Sequence, residues 1–382
     1  MESFTITNLT EERYSRHHLI DWWDQTKLKN ARVLVAGVGA LGNEVLKNLA
    51  LLGIGHVTLI DFDTVSVTNL TRSVLFRESD IGLAKVEAAR QRGIEINPEL
   101  SIHTIQGDLQ FDLGIGNVRS HDVIIGCLDS VNARWAINQL AYRAGIPWIN
   151  GGIGVTEGEV SFFDPRSESA CFECSLSSQT WERRNQRYSC HGMKRDVPEK
   201  MMPTTAPIAS IIAAMQVHQA LVYLHNKTSF LNSGEKVFLS LNPWASFKAK
   251  IQHQESCTTH NFSVDSIIRL PFKSELSAQA ICQNLQQLGF QNPVISLRNE
   301  VVTVMQCLDS NCNHFEQINY PLRQLAESAL VCPKCGKERD FEVIRSFSIS
   351  QHPDINLVNL CLPGNEILFG ESDGRSFAIE FY

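Results

Sequence analysis

The sequence predicts an α/β protein with a doubly wound, mainly parallel sheet and a smaller C-terminal α+β domain. Two observations support this prediction. Short β-branched runs alternate with helical stretches from about Ala31 to Gly126, which is the pattern of βαβ units. In the last third of the chain, paired cysteines replace this alternation, which is typical of a small unit that a metal ion holds together.

The βαβ pattern can be followed along the chain. The strand-like runs VLVAGV, VTLID, SIHTI and VIIGC are separated by helical stretches, one of which begins near Leu41 and one of which reads KVEAARQRGIEI. Residues 151–255 contain shorter strand patterns and an apolar helical segment from about Ile208 to His225. A polar stretch between them, at about 175–205, is rich in Ser, Arg and Lys and indicates a long loop.

We place a domain boundary after His260, where the nucleotide-site pattern ends. Residues 1–260 are predicted to form the larger domain and residues 261–382 the smaller one. With 382 residues, of which 43% are hydrophobic, the chain is long enough to bury two cores. The smaller domain is expected to end in two strands, near EILFG and SFAIEFY.

Composition excludes several classes of protein. The formal net charge is -7 and no block of Lys and Arg occurs, which argues against nucleic acid and anionic membranes as partners. No uninterrupted apolar run approaches the roughly 20 residues that cross a bilayer, and the N-terminus lacks the apolar core of a signal peptide. We therefore expect a cytoplasmic protein whose 11 cysteines are reduced and serve metal binding or catalysis.

A glycine-rich turn follows the first predicted strand. Gly37, Gly39 and Gly42 form G-x-G-x-x-G between a strand and a helix. Glycines allow the backbone to approach phosphates, and the N-terminus of a helix attracts negative charge. Asp61 ends the next strand, where a carboxylate can accept hydrogen bonds from ribose hydroxyls. The pattern predicts a site for NAD or for another nucleotide.

Two cations and a carboxylate favour a nucleoside triphosphate over NAD. Arg72 lies in NLTRSVLF and Lys85 in GLAKVEAA, each on a connection after a predicted strand. Such cations suit a triphosphate, whose charge must be neutralised while pyrophosphate leaves. Asp129, in GCLDSVNAR, follows another apolar strand and is a candidate ligand for magnesium. Taken singly, the three residues are better explained as two solvated charges and a helix N-cap, and it is their joint placement that favours the triphosphate site.

The ordered motifs resemble those of the ThiF/MoeB/HesA and ubiquitin-activating enzyme superfamily of adenylyltransferases. The matching pieces are, in order, RYSRHHLI, VLVAGVGALGNEV, LIDFDTVSVTNLTRSVLF, GLAKVEAA, INPEL and GCLDSVNAR. They cover roughly Arg13 to His260, and such a series is more specific than one glycine motif. Ser130 departs from the pattern, because the family usually has Asn after the Asp.

The resemblance implies that a Rossmann-like, ThiF-type domain uses ATP to activate a carboxylate as an acyl-adenylate. Positioning and charge stabilisation supply most of such catalysis, so no acid–base pair is required. The resemblance also implies that Asp129 binds magnesium and that Arg16 reaches the active site of a neighbouring subunit in a homodimer. The residues assigned to the nucleotide are Gly37, Gly39, Gly42, Asp61, Asp63, Asn69, Arg72, Lys85 and Asp129. The expected catalytic residues are Arg16, Arg72, Lys85, Asp129 and Cys190.

Cys190 is expected to be the nucleophile that attacks the adenylate. It lies in NQRYSCHGMKRDVPEK, where neighbouring cations lower the pKa of a thiol and favour the thiolate. Family members carry at this position the cysteine that forms a thioester or a persulfide. The alternative is a spare thiol in a loop. Cys127, Cys282 and Cys361 lie among apolar residues and are expected to be buried small hydrophobes.

The resemblance implies a first structural zinc site. Cys171 and Cys174 form C-F-E-C, and Cys257 and His260 form C-T-T-H where MoeB-like proteins have a second C-x-x-C. Three thiolates and one imidazole make a tetrahedral zinc site. The alternative is a set of separate reduced cysteines with a surface histidine, and His260 is the least secure ligand.

A second zinc site follows from spacing alone. Cys307 and Cys312, then Cys332 and Cys335, give C-x4-C and C-x2-C, which is typical of a zinc ribbon. His314 is an alternative to one of these cysteines. The surrounding segment is not especially basic, so we expect a protein-binding or scaffolding role for this domain rather than a nucleic-acid-binding one.

Three functions remain open. The first is adenylation of a ubiquitin-like protein that ends in Gly-Gly, followed by thioester formation on Cys190 and transfer to a downstream conjugating enzyme. The alternative is MoeB/ThiF-like activation of a sulfur-carrier protein for cofactor or tRNA thiolation. The third is a nucleotide-binding zinc protein without transfer chemistry, or an NAD oxidoreductase. We rank them in this order, because the extension of about 120 residues beyond His260 looks similar to that of activating enzymes in bacterial ubiquitin-like conjugation pathways.

Overall fold

The computed structural model describes residues 12–177, 179–180, 193, 203–260, 264–271 and 276–381. Contacts between Cα atoms divide these residues into two compact units. The first unit consists of 12–109, 118–175 and 203–255, and the second of the remaining described residues. The division of the chain into domains at residue 260 stays a prediction.

The helices and strands are defined as follows. The helices are α1 Gln25–Asn30, α2 Ala40–Leu52, α3 Lys85–Ile96, α4 Ile115–Arg119, α5 Val131–Ala144, α6 Ala206–Leu224 and α7 Ala278–Gln287. The strands of the first unit are β1 Arg32–Ala36, β2 His56–Asp61, β3 Ser101–Gln106, β4 Val123–Gly126, β5 Trp148–Ile153, β6 Glu157–Phe163, β7 Glu235–Leu241 and β8 Trp244–Lys250. Those of the second unit are β9 Ser266–Leu270, β10 Val294–Cys307, β11 Phe315–Pro321, β12 Arg339–Phe347, β13 Ile367–Ser372 and β14 Arg375–Phe381.

Eight strands of the first unit form one sheet in the order β3-β2-β1-β4-β5-β6-β7-β8, counted over the described residues. Neighbours from β3 to β5 pair in parallel, and β6 to β8 continue the sheet in antiparallel pairs. The predicted mainly parallel, doubly wound sheet is therefore confirmed. Its strand order reverses between β1 and β4, and ligands bind at the carboxyl ends of the strands beside such a reversal.

The central strands are buried because their sequences are apolar on both faces. All four residues of β4 are buried, as are the last four of β1. Helices on both sides of a parallel sheet require this continuous apolar character. Gly53, with a φ of 76°, ends α2 in the left-handed conformation that glycine adopts without strain.

Helix α6 is a core helix despite its membrane-like composition. An 18-residue window of this helix has a mean hydropathy of 1.4, so the helix is long and apolar enough to cross a bilayer. Polar residues interrupt its sequence, so it does not stand out as a continuous apolar run. However, 56% of that window is buried inside the protein. The helix packs against α2 and against β4, β5 and β6. Its apolar surface thus covers one face of the sheet.

The second unit contains a six-stranded sheet in the order β11-β10-β13-β14-β9, with β12 also paired to β10. The two final strands that the sequence predicts are β13 and β14, which pair antiparallel. Ser277 caps α7 by accepting a hydrogen bond from the Ala280 N–H. Together these elements give the α+β fold expected for the C-terminal domain.

The stretch 110–117 belongs to the second unit, although it lies between β3 and β4 in the chain. The Arg298 guanidinium donates from Nη2 to the Leu113 carbonyl at 2.9 Å and pairs with Glu366 at 2.8 Å. Glu366 in turn accepts a hydrogen bond from the Ile115 N–H at 3.2 Å. No motif in the sequence predicted this arrangement.

Candidate functional site

The three glycines of the turn after β1 occupy their positions for different structural reasons. Gly37 has a φ of +91°, and a Cβ there would lie 2.5 Å from the Cys127 carbonyl oxygen. A Cβ at Gly42 would lie 2.1 Å from the Gly37 oxygen, so this glycine lets α2 start against the strand end. Gly39 has an ordinary φ of -75°, and a Cβ there would meet no protein atom within 4 Å. Gly39 therefore keeps open space at the N-terminus of α2, where a phosphate would bind.

Asp61 is tied to this turn. Its Oδ2 accepts a hydrogen bond from the Val38 N–H at 2.7 Å, and its Oδ1 accepts one from the Asp63 N–H at 2.8 Å. Burial raises the pKa of the Asp61 carboxyl, although the Lys85 charge and the two N–H donors act in the opposite direction. The carboxylate is held at the end of β2 in a fixed orientation.

Asn43 is a site residue that the sequence reasoning missed. Its side chain is fully buried, and Nδ2 donates to the Val38 and Gly39 carbonyls at 2.8 and 3.0 Å. Its Oδ1 accepts from the Leu75 N–H at 3.0 Å. Asn43 thus joins the glycine turn to the segment after β2. A polar residue in the apolar first turns of α2 was the available signal.

Lys85 and Asp63 form an ion pair at the start of α3. Lys85 Nζ lies 2.6 Å from Asp63 Oδ2, and 10% of the Lys85 side chain is exposed against 48% for Asp63. The Lys85 ammonium is therefore not a solvated surface charge. Arg72 is partly buried and donates from Nη1 to the Thr68 carbonyl at 2.7 Å. The buried Asn69 accepts a hydrogen bond from the Ser66 N–H at 2.9 Å.

Asp129 is exposed immediately after β4. The residue that caps α5 is Ser130, whose Oγ accepts from the Ala133 N–H at 3.1 Å, so Asp129 is not the N-cap. Arg134 donates to the Leu128 carbonyl from Nε at 3.0 Å and from Nη2 at 2.8 Å. Burial lowers the pKa of Arg134, while the charges of Glu159 and Asp129 raise it. A free carboxylate at a parallel strand end fits magnesium, which prefers oxygen ligands.

Arg16 lies on the exposed surface of a short N-terminal segment. This segment is anchored by aromatic rings: the His17 and Trp23 ring centroids are 4.4 Å apart, and Trp23 lies 5.6 Å from His225. His225 also accepts a hydrogen bond from the Asp24 N–H at 3.1 Å. The role of Arg16 in a neighbouring subunit stays a prediction.

The structure brings the four predicted ligands of the first zinc site together. The ligand atoms of Cys171, Cys174, Cys257 and His260 all lie within 4.8 Å of one another. Three thiols and an imidazole in such a group fit a tetrahedral zinc ion. Glu173, buried between the first two cysteines, accepts hydrogen bonds from two side chains of α5, those of Trp135 and Gln139, each at 2.9 Å.

The ribbon cysteines form the second group. Cys307 Sγ lies 3.5 Å from Cys335 Sγ, and Cys312 Sγ lies 3.8 Å from Cys332 Sγ. All four sulfur atoms lie within 4.8 Å of one another, a donor set that fits zinc. Among the described residues, His314 does not belong to this group, so the four cysteines are the candidate ligands.

The predictions for the remaining cysteines differ in how they compare with the structure. Cys190 lies outside the residues that the structure describes. Cys127 and Cys282 are buried, and burial raises the pKa of both thiols, to about 11 for Cys282. The expectation of a buried Cys361 needs correction, because this residue is only partly buried and its thiol donates to the Asn319 carbonyl at 2.9 Å.

Known proteins that are similar to this chain include two that are named adenylyltransferases. The molybdopterin-synthase adenylyltransferase of Salmonella typhimurium is 38% identical over 165 residues, which are 42% of this chain and 66% of that protein. UBA4 of Kluyveromyces lactis, named an adenylyltransferase and sulfurtransferase, is 35% identical over 167 residues, or 43% and 38% of the two chains. SUMO-activating enzyme subunit 2 of Dictyostelium discoideum is 34% identical over 167 residues, or 43% and 25%. The chain spans just under two thirds of the length of the Salmonella protein and less of the other two.

The fold has solved counterparts as well. The crystal structure of MccB from E. coli matches with a TM-score of 0.54 and 25% identity, over 67% of this chain and 74% of MccB. The profile of the ThiF family matches residues 14–259, a range that contains the glycine turn, Asp61, Lys85 and Asp129. Since that range is well over half of the chain, the protein belongs to the ThiF family.

Proposed function

We propose that the protein is an ATP-dependent adenylyltransferase that activates the C-terminal carboxylate of a small carrier protein. The observation that carries this proposal is the convergence of three features at one edge of the sheet: the glycine turn after β1, Asp61 at the end of β2 and the exposed Asp129 after β4. Membership of the ThiF family supports it, as do two relatives that are named adenylyltransferases.

In the proposed reaction, a carboxylate oxygen of the carrier attacks the α-phosphorus of ATP. The bond from the α-phosphorus to the bridging oxygen breaks, and pyrophosphate leaves with the electron pair. The glycine turn and the N-terminus of α2 bind the phosphates, and Asp61 accepts hydrogen bonds from the ribose hydroxyls. Arg72 and Lys85 stabilise the charge on the departing pyrophosphate. Asp129 is the residue that would hold magnesium, which neutralises phosphate charge when bound.

The Lys85–Asp63 ion pair suits this role. Asp63 is about half exposed. Water can therefore solvate its carboxylate when the Lys85 ammonium group binds phosphate oxygens instead. The pair also holds the Lys85 ammonium group in one place at the start of α3 before ATP binds. A cation that is already oriented loses less side-chain entropy on binding phosphate.

We propose a sulfur-carrier protein as the substrate, ahead of a ubiquitin-like modifier destined for conjugation. The names of the Salmonella and Kluyveromyces relatives, which refer to molybdopterin synthase and to a sulfurtransferase, support this order. It reverses the ranking that the chain length suggested. The second candidate is thioester formation on Cys190 and transfer to a conjugating enzyme, which the similarity to a SUMO-activating subunit favours. Both candidate functions include the predicted homodimer, in which Arg16 reaches the active site of the neighbouring subunit.

The test of adenylation is carrier-dependent exchange of pyrophosphate into ATP. Asp129→Ala is expected to lower the exchange rate about 100-fold or more, because charge on the phosphates is no longer compensated. Glu99→Ala is the matched control, since it removes a carboxylate whose ion pair with Lys29 is 69% exposed on both sides and adds little to stability. Exchange that survives Asp129→Ala at the control rate would remove Asp129 from the site.

A gel assay of the same reaction separates the two substrates. The protein is incubated with ATP, magnesium and a Gly-Gly-ending carrier, and analysed with and without reductant beside Cys190→Ala. Pyrophosphate release without a reducible band at Cys190 supports the sulfur-carrier assignment. A band that vanishes with reductant and in Cys190→Ala favours conjugation instead.

A further inference from the structure

The short loop from β4 to Asp129 is held by its backbone carbonyls from two helices. Gln216, on α6, donates from Nε2 to the Gly126 carbonyl at 2.8 Å. Two residues further on, the Leu128 carbonyl accepts two hydrogen bonds from the guanidinium of Arg134, on α5, whose Nη2 also donates to the Gly151 carbonyl at 3.4 Å. Side chains therefore hold the carbonyl that ends β4 and the carbonyl of the peptide bond that leads into Asp129, so the backbone is restrained up to Asp129.

Gln216 is an unusual residue for its position. Its side chain is fully buried in the most apolar helix of the first unit, and Nε2 also lies 3.3 Å from the Ile149 carbonyl. Gly151 lies two residues after Ile149 in β5, and a Cβ there would lie 2.5 Å from the Gln216 amide. A glycine at this point of the strand thus leaves the space that the amide occupies. Burying an amide in an apolar helix costs free energy unless its hydrogen bonds are made, and among the described residues Nε2 has partners whereas Oε1 has none.

Gln216 and Arg134 reach the loop from opposite faces of the sheet. Trp148 on β5 donates to Asn138 of α5, which places α5 on the face of Trp148. Gly151 is three residues further on, so it faces the other side, where it meets Gln216 of α6. The last carbonyl of β4 is consequently held from the side away from α5.

We propose that Gln216 is a positioning residue for the magnesium complex of the nucleotide. By holding the Gly126 carbonyl it fixes the loop so that the exposed carboxylate of Asp129 points at the phosphates before ATP arrives. Residues that orient a metal ligand contribute to metal affinity without touching the ion. The inference rests on the proposed function, because it assumes that Asp129 serves magnesium-bound ATP.

The test is equilibrium binding of ATP, measured by calorimetry with magnesium and again with EDTA, so that no carrier protein is needed. Gln216→Met keeps the length of the side chain but removes its N–H donors, and Gln216→Leu is the second variant. We expect each to reduce the gain in affinity that magnesium provides by roughly tenfold, with the affinity in EDTA unchanged. The double variant with Asp129→Ala should lose no more than Asp129→Ala alone, because both act at one point.

Gln219→Met is the matched control. Gln219 is a buried glutamine on the same helix, and its Nε2 donates to the Leu231 carbonyl at 3.2 Å. It should keep the whole magnesium gain. A full gain in both Gln216 variants, or an equal loss in Gln219→Met, overturns the inference while leaving adenylation intact. A wild-type protein that binds ATP without any gain from magnesium overturns the role of Asp129, and with it this inference; one that binds no ATP overturns the proposed function itself.

Discussion

At the scale of single residues, Asp61 has two tasks that oppose each other. Its carboxylate accepts N–H groups from Val38 and Asp63 and so fixes the turn that follows β1. The same burial that orients it also raises its pKa, because desolvation disfavours the charged form. The cost of a buried charge is thus accepted at the point where the proposed ribose would bind.

This shift predicts opposite pH trends for folding and binding. The folded pKa lies above the unfolded value, so the ionised carboxylate destabilises the fold at neutral pH, and this penalty disappears as the pH falls through the window between the two values. Over the same window, protonation removes an acceptor for the ribose, so ATP affinity should fall. The decline should begin above the ordinary aspartate pKa of about 3.9.

The measurement is ATP affinity between mild acid and neutral pH, for the wild type and for Asp61→Asn. The variant carries no titrating group at this position, so its affinity should be lower, and its pH profile should lack the decline that protonation of Asp61 causes. Parallel pH profiles for the two proteins would show that another group controls binding.

At the scale of elements, the turn from β1 into α2 separates steric needs from functional ones. Gly42 is needed because a Cβ would meet backbone, the Gly37 oxygen, at 2.1 Å. Gly39 has no such need, because its backbone angles suit any residue and the space beside it is open. Three glycines in one motif therefore do not have one explanation.

Two alanine variants should separate these reasons. Gly42→Ala should lower the free energy of unfolding by about 1–3 kcal/mol, the usual cost of forcing extra atoms into a packed site. Gly39→Ala should cost less than about 1 kcal/mol, as expected for glycine to alanine at a helix N-cap, yet it should weaken ATP binding by placing a methyl group in the phosphate space. Denaturant unfolding and ATP titration test both; a Gly39→Ala protein with normal affinity would place the phosphates elsewhere.

At the scale of the whole molecule, two groups of four side chains can each hold a zinc ion. The ribbon group joins the end of β10 to the turn before β12. The other group includes the C-F-E-C turn, whose Glu173 is bonded to α5. Zinc in such sites contributes directly to folding.

We therefore expect two zinc ions per purified chain, with Cys332→Ser and Cys171→Ser each retaining one. Both variants should unfold at lower temperature, because the loops lose a crosslink. Cys282→Ser replaces a buried cysteine outside both groups and should keep both ions. Elemental analysis together with thermal unfolding measures these outcomes. A Cys332→Ser protein that still binds two zinc ions would contradict the ribbon site.

The sequence predicted much of this molecule because its main signals are local. Strand and helix periodicity, glycine spacing and cysteine spacing each extend over a few residues, and they correctly predicted the βαβ sheet, the turn after β1 and the two cysteine groups. Asn43 and Gln216 were missed, because a single polar residue in an apolar helix does not identify its partner. The partner of Gln216 is Gly126, 90 residues away in the chain.

By itself, the sequence determined the order of the motifs, the kind of sheet and the chemistry available at its edge. Only the tertiary structure decided which polar groups meet: that Ser130 caps α5 and leaves Asp129 free, that Lys85 pairs with Asp63, and that Arg298 binds the stretch 110–117. Covalent spacing fixes a local pattern, whereas these pairings depend on strand order and helix packing. Those bring distant parts of the chain together only when the core forms.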